Sequence, residues 1–314
     1  MRIQFWGVRG SLPTPQLPSQ IQSKIAAILD RLSQQDIETP AARQRFLNAL
    51  PMWLYGTVGG NTACVSVAFD DPSEIVVFDA GSGIRDLGIA LSKQEPRIER
   101  YRIFFSHFHW DHIMGLPFFI PAFNPSIQVE FYSPKPYLEK ILGDQMLPPY
   151  FPVPISAMRA KKSFHCLSNA FTTVPGVNIS YKKMWHPQDA YAYRVDDGKH
   201  SFIYATDVEL SDVDFVHSKE NESFFKNVDL IVIDSQYTQE QALEKREWGH
   251  SSFQMVADFT AHWGIKCVTL FHHDPTYDDQ TLFAYLQETR SYAESMHFKD
   301  TRFILATEGL EITL

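Results

Sequence analysis

Residues Ser106 to Gly115 read SHFHWDHIMG and place three of the chain's 12 histidines, with one aspartate, inside six positions. A solvated histidine-rich loop would concentrate histidine in this way, and so would a core in which imidazoles satisfy one another. Neither accounts for the order H-x-H-x-D-H, in which every polar group is of a metal-ligating type. The residues just before it, Tyr101-Arg102-Ile103-Phe104-Phe105, form a largely apolar run that reads as a buried strand. The polar cluster therefore stands where a strand ends and the chain turns. It reads as part of a metal site whose remaining ligands must come from elsewhere.

His107 and His109 are two apart in a loop, so both rings can converge on one ion. Asp111 and His112 offer a second oxygen–nitrogen pair a few ångströms on. Imidazole and carboxylate suit Zn²⁺, with Mn²⁺ and Fe²⁺ also compatible, because affinity alone does not choose the metal. Two ions need more than four side chains. Candidates follow later apolar runs: His186 in MWHPQDAYAYRV, Asp207 in FIYATDVE, and His272 or His273 in VTLFHHDPTYDD. Loops after strands are where converging ligands belong in an α/β sheet.

Strand-like runs at 3–8, 63–69, 74–78, 101–105, 128–131, 191–195, 202–204, 230–233, 267–271 and 302–306 interleave with helical patterns at 137–142, 251–263 and 279–296. Such alternation indicates an α/β architecture. Residues 16–53 depart from it. Ile21, Ile25, Ile28, Leu29 and Leu32 share one helical face, and Phe46, Leu47, Leu50 and Leu54 share another, after an ETPA helix start. The expectation is a helical hairpin inserted after the first strand, packing on the core or forming a homodimer surface rather than a lid.

With 314 residues, 44% of them hydrophobic and 21% charged, the chain suits a globular protein with a sizeable core, taken as one domain over 1–314. No stretch approaches a membrane span. The opening MRIQFWGVRG lacks the apolar region and cleavage site of a signal peptide and reads as a first strand. Cys64, Cys166 and Cys267 form no C-x-x-C pair, which fits a reducing, cytoplasmic setting and small buried residues. A net charge of −9 without a basic stripe weighs against long nucleic acid as the main partner. It leaves a small phosphorylated substrate open.

At this point the residues carry a family resemblance. The H-x-H-x-D-H signature, followed in order by His186, Asp207 and His272, resembles the metallo-β-lactamase-fold hydrolases. FWGVRGSLPTP, GGNTACV, FDAGSGIRDLG, HWDHIMGLPFF, WGHSS and LFHHDP are similar to a branch close to cyclic-phosphate phosphodiesterases and RNase Z. The match runs nearly end to end except for 16–53. It implies an αβ/βα four-layer sandwich and two divalent ions. Position by position it implies that His107, His109 and His186 hold the first ion and Asp111, His112 and His272 the second, with Asp207 bridging them. His273 competes with His272 for its place. Asp79, ending IVVFDAG, resembles a carboxylate that orients a ligand histidine, and capping the Gly81–Gly83 turn is compatible with that role.

A dinuclear site of this kind clamps an in-line displacement, with a hydroxide bridging the ions as the attacking group. The leaving alkoxide then needs a proton. His250 in EWGHSSFQ is the candidate donor, held beside a helix that Ser251 or Ser252 caps; a histidine merely packed against Trp248 is the plain alternative. Asn61 in GGNT either points its amide at substrate or accommodates a left-handed backbone. Arg9 in GVRG offers a phosphate partner. Tyr193 and Tyr237 offer base stacking or, more commonly, core. His165, His200, His217, His262 and His297 lack any supporting pattern. Gly81-x-Gly83 is no dinucleotide fingerprint, since Asp86 stands where the third glycine belongs.

The leading expectation is a dinuclear-metal phosphodiesterase acting on a small cyclic nucleotide or cyclic phosphate. The alternatives are an RNase Z-like nuclease, a hydrolase of a lactam, thioester or other non-phosphate ester, and a non-catalytic metal-binding scaffold. The WGHSS histidine argues against the lactam and thioester class. A degraded ligand set would mark the scaffold, and all seven positions are filled.

Overall fold

Among the described residues, two sheets of seven strands each face one another. The computed structural model describes residues 1–168, 171–298 and 300–314. The first sheet holds β1 (Arg2–Gly7), β2 (Cys64–Ala68), β3 (Glu74–Phe78), β4 (Arg100–Phe104), β5 (Gln128–Ser133) and β6 (Lys161–Cys166) side by side in chain order. The second runs from β7 (Phe171–Val174) through β8 (Val177–Met184), β9 (Ala190–Asp196), β10 (Ser201–Ala205), β11 (Leu230–Asp234) and β12 (Cys267–Phe271) to β13 (Arg302–Leu305). Strand β14 (Glu311–Thr313) returns to pair with β1. Strands β3 to β6 and β10 to β13 are parallel, so their C-terminal ends gather at common edges.

Alternation along β4 explains the layering. Tyr101 and Ile103 turn to one face and join a cluster with Ile84, Leu87 and Leu142, while Phe104 turns to the other. Phe78 of β3 meets Tyr193, Phe202 and Tyr204 of the second sheet at ring separations of 5.6, 6.0 and 5.2 Å. These contacts seal the space between the sheets. Tyr193 and Tyr237 are both buried, so they serve the core.

Helices cover the outer faces. After α1 (Pro18–Leu29), α2 (Gln34–Ile37), α3 (Pro40–Ala49) and α4 (Met52–Tyr55) come α5 (Gly83–Leu91), α6 (Trp110–Ile113) and α7 (Leu138–Asp144) on the first sheet's side. Helices α8 (Lys219–Phe225), α9 (Gln239–Glu244), α10 (Phe253–Trp263) and α11 (Asp279–Ser295) follow on the second. Phe253, Val256, Phe259, Leu282 and Leu286 anchor α10 and α11 to the core. The result is the expected helix–sheet–sheet–helix sandwich.

The insertion differs from expectation. It forms four short helices, not a two-helix hairpin, and the apolar face of α1 is open: Ile21, Ile25 and Leu29 are 47%, 53% and 60% exposed. Only Ala42 and Leu54 of its helices are buried. Polar contacts add to the packing of the buried Leu54. Lys24 and Gln16 reach the buried Asp279 carboxylate at the start of α11, which also accepts from the Val58 N–H at 2.9 Å. Among the described residues, none of 16–53 lines the cavity over the metal cluster. Arg9 is likewise structural: its guanidinium is buried and donates to the carbonyls of Gly59, Asp274 and Tyr277. No described helix is long and apolar enough to cross a membrane.

Candidate metal centre

Strand β4 ends at Phe104, and the chain then turns through His107 to His109, which stands at the N-cap of α6. Asp111 and His112 follow within the first turn of that helix. Backbone bonds hold α6 down: Ala80 N–H donates to His112 O at 2.8 Å and Gly115 N–H to Ala80 O at 2.9 Å. Gly81 makes the close approach feasible, because a Cβ there would lie 2.3 Å from Asp111 O. The glycines of FDAGSG thus admit the ligand helix.

The remaining polar groups arrive from the C-terminal ends of other strands. Asp79 follows β3, Asp207 lies just beyond β10, and His272 follows β12. Each has a left-handed backbone, with φ of 59°, 54° and 60°. Non-glycine residues rarely adopt this conformation, and its cost concentrates at functional sites. His186 follows β8 and directs Nδ1 at Gly249 O, 2.9 Å away.

Among the described residues, possible ligand atoms gather in two four-residue clusters, one of His107, His109, His186 and Asp207, the other of Asp111, His112, Asp207 and His272, and in a smaller third group, Asp234, His250 and His272, that shares His272 with the second. Asp207 belongs to both four-residue clusters. Its Oδ1 lies 3.6 Å from His107 Nε2 and 3.7 Å from His186 Nε2. Its Oδ2 lies 3.0 Å from His112 Nε2 and 3.2 Å from His272 Nε2. Asp111 Oδ2 is 3.2 Å from both His112 Nε2 and His272 Nε2. His107 Nε2 is buried without a hydrogen bond among the described residues. Leaving such an atom unpaired costs about 1–3 kcal/mol, and converging imidazole nitrogens and carboxylate oxygens are the donor set divalent cations take. The residues fit two ions.

Outer contacts aim these rings. Asp79 accepts from Ser106 N–H and Oγ, from Tyr204 Oη and from His112 Nδ1, the last at 2.8 Å. The Asp79 carboxylate therefore holds the His112 ring in one orientation. The structure also separates His272 from His273. The ring of His273 points away, bonding Ala306 O at 2.9 Å, and burial, with Arg9 nearby, pulls it down to about 3. Asn61 is a correction: its amide donates to Asp86 and Glu308 at 3.1 and 3.2 Å, and its backbone φ is not positive, so neither expected role holds.

His250 stands at the edge of both clusters, its ring 5.3 Å from that of His186 and 5.1 Å from that of His272. Its Nδ1 contacts Asp234 Oδ2 at 2.6 Å, and Nε2 has no hydrogen bond among the described residues. Asp234 is a residue the sequence reading missed. It ends β11, accepts from Ser251 N–H at 3.1 Å and lies 3.5 Å from His272 Nδ1. The signal was present as a carboxylate ending an apolar run, LIVID, like Asp79 in IVVFD. Ser252 is the cap of α10, accepting from Met255 N–H, while Ser251 Oγ donates to Val208 O.

The field of the carboxylates divides the imidazoles. Burial holds His107, His109 and His186 below the ordinary value, in the neutral form that ligates. Burial also opposes charge on His112 and His272, but Asp207 and Asp111 outweigh it, raising His112 well above 6.5 and His272 to about 9. Cations must displace these protons. Titration of ion-free protein with Zn²⁺ near pH 7 should release roughly one proton or more per chain, seen as buffer-dependent heat in calorimetry. In the ion-free protein, the stability from His272 is complete below about 6.5 and is lost as pH rises through about 9. A proton count near zero would contradict this picture.

Gly249 has φ of 90°, and a Cβ there would lie 2.1 Å from His186 Nδ1. Gly249→Ala should therefore displace His186 and add about 1–2 kcal/mol of backbone strain. Metal analysis should show first-cluster occupancy falling, with a lower melting temperature. Unchanged stoichiometry would mean that this carbonyl does not position His186.

Residues 75–273, more than half the chain, match the family described as Beta-lactamase superfamily domain. Ribonuclease Z of Prochlorococcus marinus subsp. pastoris is 22% identical over 281 residues, 72% of this chain and 86% of that protein. Human tRNase Z, short form, matches at TM-score 0.63 and 16% identity, covering 100% of this chain and 99% of its own. A diphosphatase of the PhnP family matches at TM-score 0.60 and 15% identity, with 100% and 97% covered. At such identity the two structures share the fold.

Proposed function

This chain belongs to the beta-lactamase superfamily, and from that premise we propose that it is a metal-dependent phosphodiesterase acting on a small cyclic nucleotide or related cyclic phosphate. The observation that carries the reading is the Asp234–His250 pair beside the two ligand clusters. A thioester, whose leaving thiolate departs readily, has less need of such a donor than an ester with an alkoxide leaving group. His107, His109 and His186 would hold one divalent ion, Asp111, His112 and His272 the other, and Asp207 both; we take Zn²⁺ as the ion. Bound there, the ions would polarise the phosphoryl oxygens and render water nucleophilic near neutral pH.

The chain's own residues do the rest. Asp79 and the Gly249 carbonyl hold His112 and His186 in one ring orientation. Asp234 holds His250 with Nε2 toward the cavity, so the proton for the departing oxygen comes from a fixed place. A nuclease of the RNase Z kind is the second reading, favoured by the name of the Prochlorococcus relative. The net charge of −9 supports the smaller substrate.

The test is hydrolysis by metal-loaded protein of nucleoside 2′,3′- and 3′,5′-cyclic phosphates, a precursor tRNA and a chromogenic β-lactam. Cyclic phosphates turned over at least tenfold better than the others support the reading. Preferred tRNA cleavage would give the nuclease reading, and preferred lactam hydrolysis would sink both.

A further inference from the structure

His250 lines two cavities. One, of about 470 Å³, lies over the metal cluster with Ser11, Trp110, Asp111 and Asp207. The other, also about 470 Å³, shares His250 with the first and is lined by none of the seven ligand candidates. Its walls are Trp185, Leu243 and Met255, with Arg246, Asp212 and Glu247 at the rim. Small-molecule sites occupy about 300–1,000 Å³ and combine apolar walls with a few polar groups. Trp185 and Leu243 are 45% and 60% exposed, so both surfaces are available to a ligand.

We propose that this second cavity binds the nucleoside half of the substrate, with its base stacked against Trp185. The inference rests on the phosphodiesterase reading above and names what the leaving oxygen carries. In hydrolysis, water adds to phosphorus, one P–O ester bond breaks, and the departing oxygen takes a proton from His250 Nε2. The leaving side of the phosphate must therefore face His250. In a cyclic nucleotide both ester oxygens belong to one nucleoside, so ribose and base lie on the His250 side whichever bond breaks. The cavity is placed for them.

Rim charge narrows the class further. Asp212 and Glu247 outnumber Arg246, and the fourth charged group there, Glu209, already accepts from the N–H groups of Glu247 and Gly249 at 3.1 and 2.9 Å. A second phosphate on the leaving side would meet net negative charge. An uncharged nucleoside would not, and Arg246, which makes no ion pair among the described residues, can donate to acceptors on its base. The site therefore selects a mononucleotide ring over a longer polyanion.

The test compares adenosine 2′,3′-cyclic phosphate with ethylene phosphate, a cyclic phosphate without a base, on metal-loaded wild type, Trp185→Ala and Leu243→Asp. Leu243 sits on α9, remote in sequence from every ligand candidate, whereas Trp185 adjoins His186, so Leu243→Asp guards against a folding or metal defect at Trp185. Each variant should lose roughly tenfold or more in kcat/KM on the nucleotide, mainly through KM, in keeping with base–aromatic stacking. Ethylene phosphate should change less than about twofold in either variant. Equal losses on both substrates, or none, would overturn the proposal. Calorimetry with AMP and ribose 5-phosphate separates it from the reaction itself. Tighter binding of AMP that both variants weaken supports the cavity even if neither cyclic phosphate is hydrolysed, in which case only the phosphodiesterase reading fails. Equal affinity for the two probes overturns it.

Discussion

Asp207→Asn should empty both clusters and lower turnover by about 10⁴-fold or more, the scale seen when one member of a catalytic unit is removed. The reason is its position. Oδ1 faces His107 and His186, and Oδ2 faces His112 and His272, so one carboxylate serves four imidazoles. The substitution keeps the volume and removes the charge, so packing between the sheets should survive. The contrast is Asp111→Asn, which touches the second cluster alone and should leave the first ion bound. Metal content per chain, measured beside turnover, checks both. Two ions retained in Asp207→Asn, with activity within tenfold of wild type, would remove the bridging role.

His250→Ala should act differently: both ions stay and turnover of a cyclic nucleotide falls by roughly 10²–10⁴-fold, the usual contribution of a positioned acid or base. His250 belongs to neither four-residue ligand cluster, yet its ring lies beside both. The loss should depend on the leaving group. An alkoxide cannot depart without a proton, whereas p-nitrophenolate can, so bis-p-nitrophenyl phosphate should lose less than about tenfold. Asp234→Asn should show the same pattern at smaller amplitude, since Asp234 acts through the ring it holds. Equal losses for both leaving groups would mean that His250 shapes the site without donating a proton.

The strands that pattern reading located are those buried within the sheets, such as IVVF and LIVI. Strand β6, with burial mostly partial or absent across KKSFHC, and β8, with VNISYKKM, escaped it because their polar residues face water near the sheet edges. Strand β14 is three residues long, too short to show a period. The strand at 171–174 precedes β8 at that same margin. In the insertion, helical spacing was legible along α1, but spacing cannot say what a face packs against. Here the face of Ile21, Ile25 and Leu29 meets solvent, and Lys24 and the buried Leu54 make the attachment instead.

The site divides along the same line. Sequence alone determined the candidate ligand types and the crowding of four of them into 107–112, because both are local: six consecutive residues stay together whatever else folds. It also placed the later candidates at strand ends. Only the tertiary structure decided that His272 enters the site while its neighbour His273 turns to Ala306, that Asn61 binds Asp86 and Glu308, and that Asp234 holds His250. Those choices depend on the direction a side chain takes from a left-handed backbone and on the parallel register that sets β10, β11 and β12 side by side. Neither is a property of any short stretch, so partners 16 residues apart, as Asp234 and His250 are, or 161 apart, as Asp111 and His272 are, meet only once the sheet has formed.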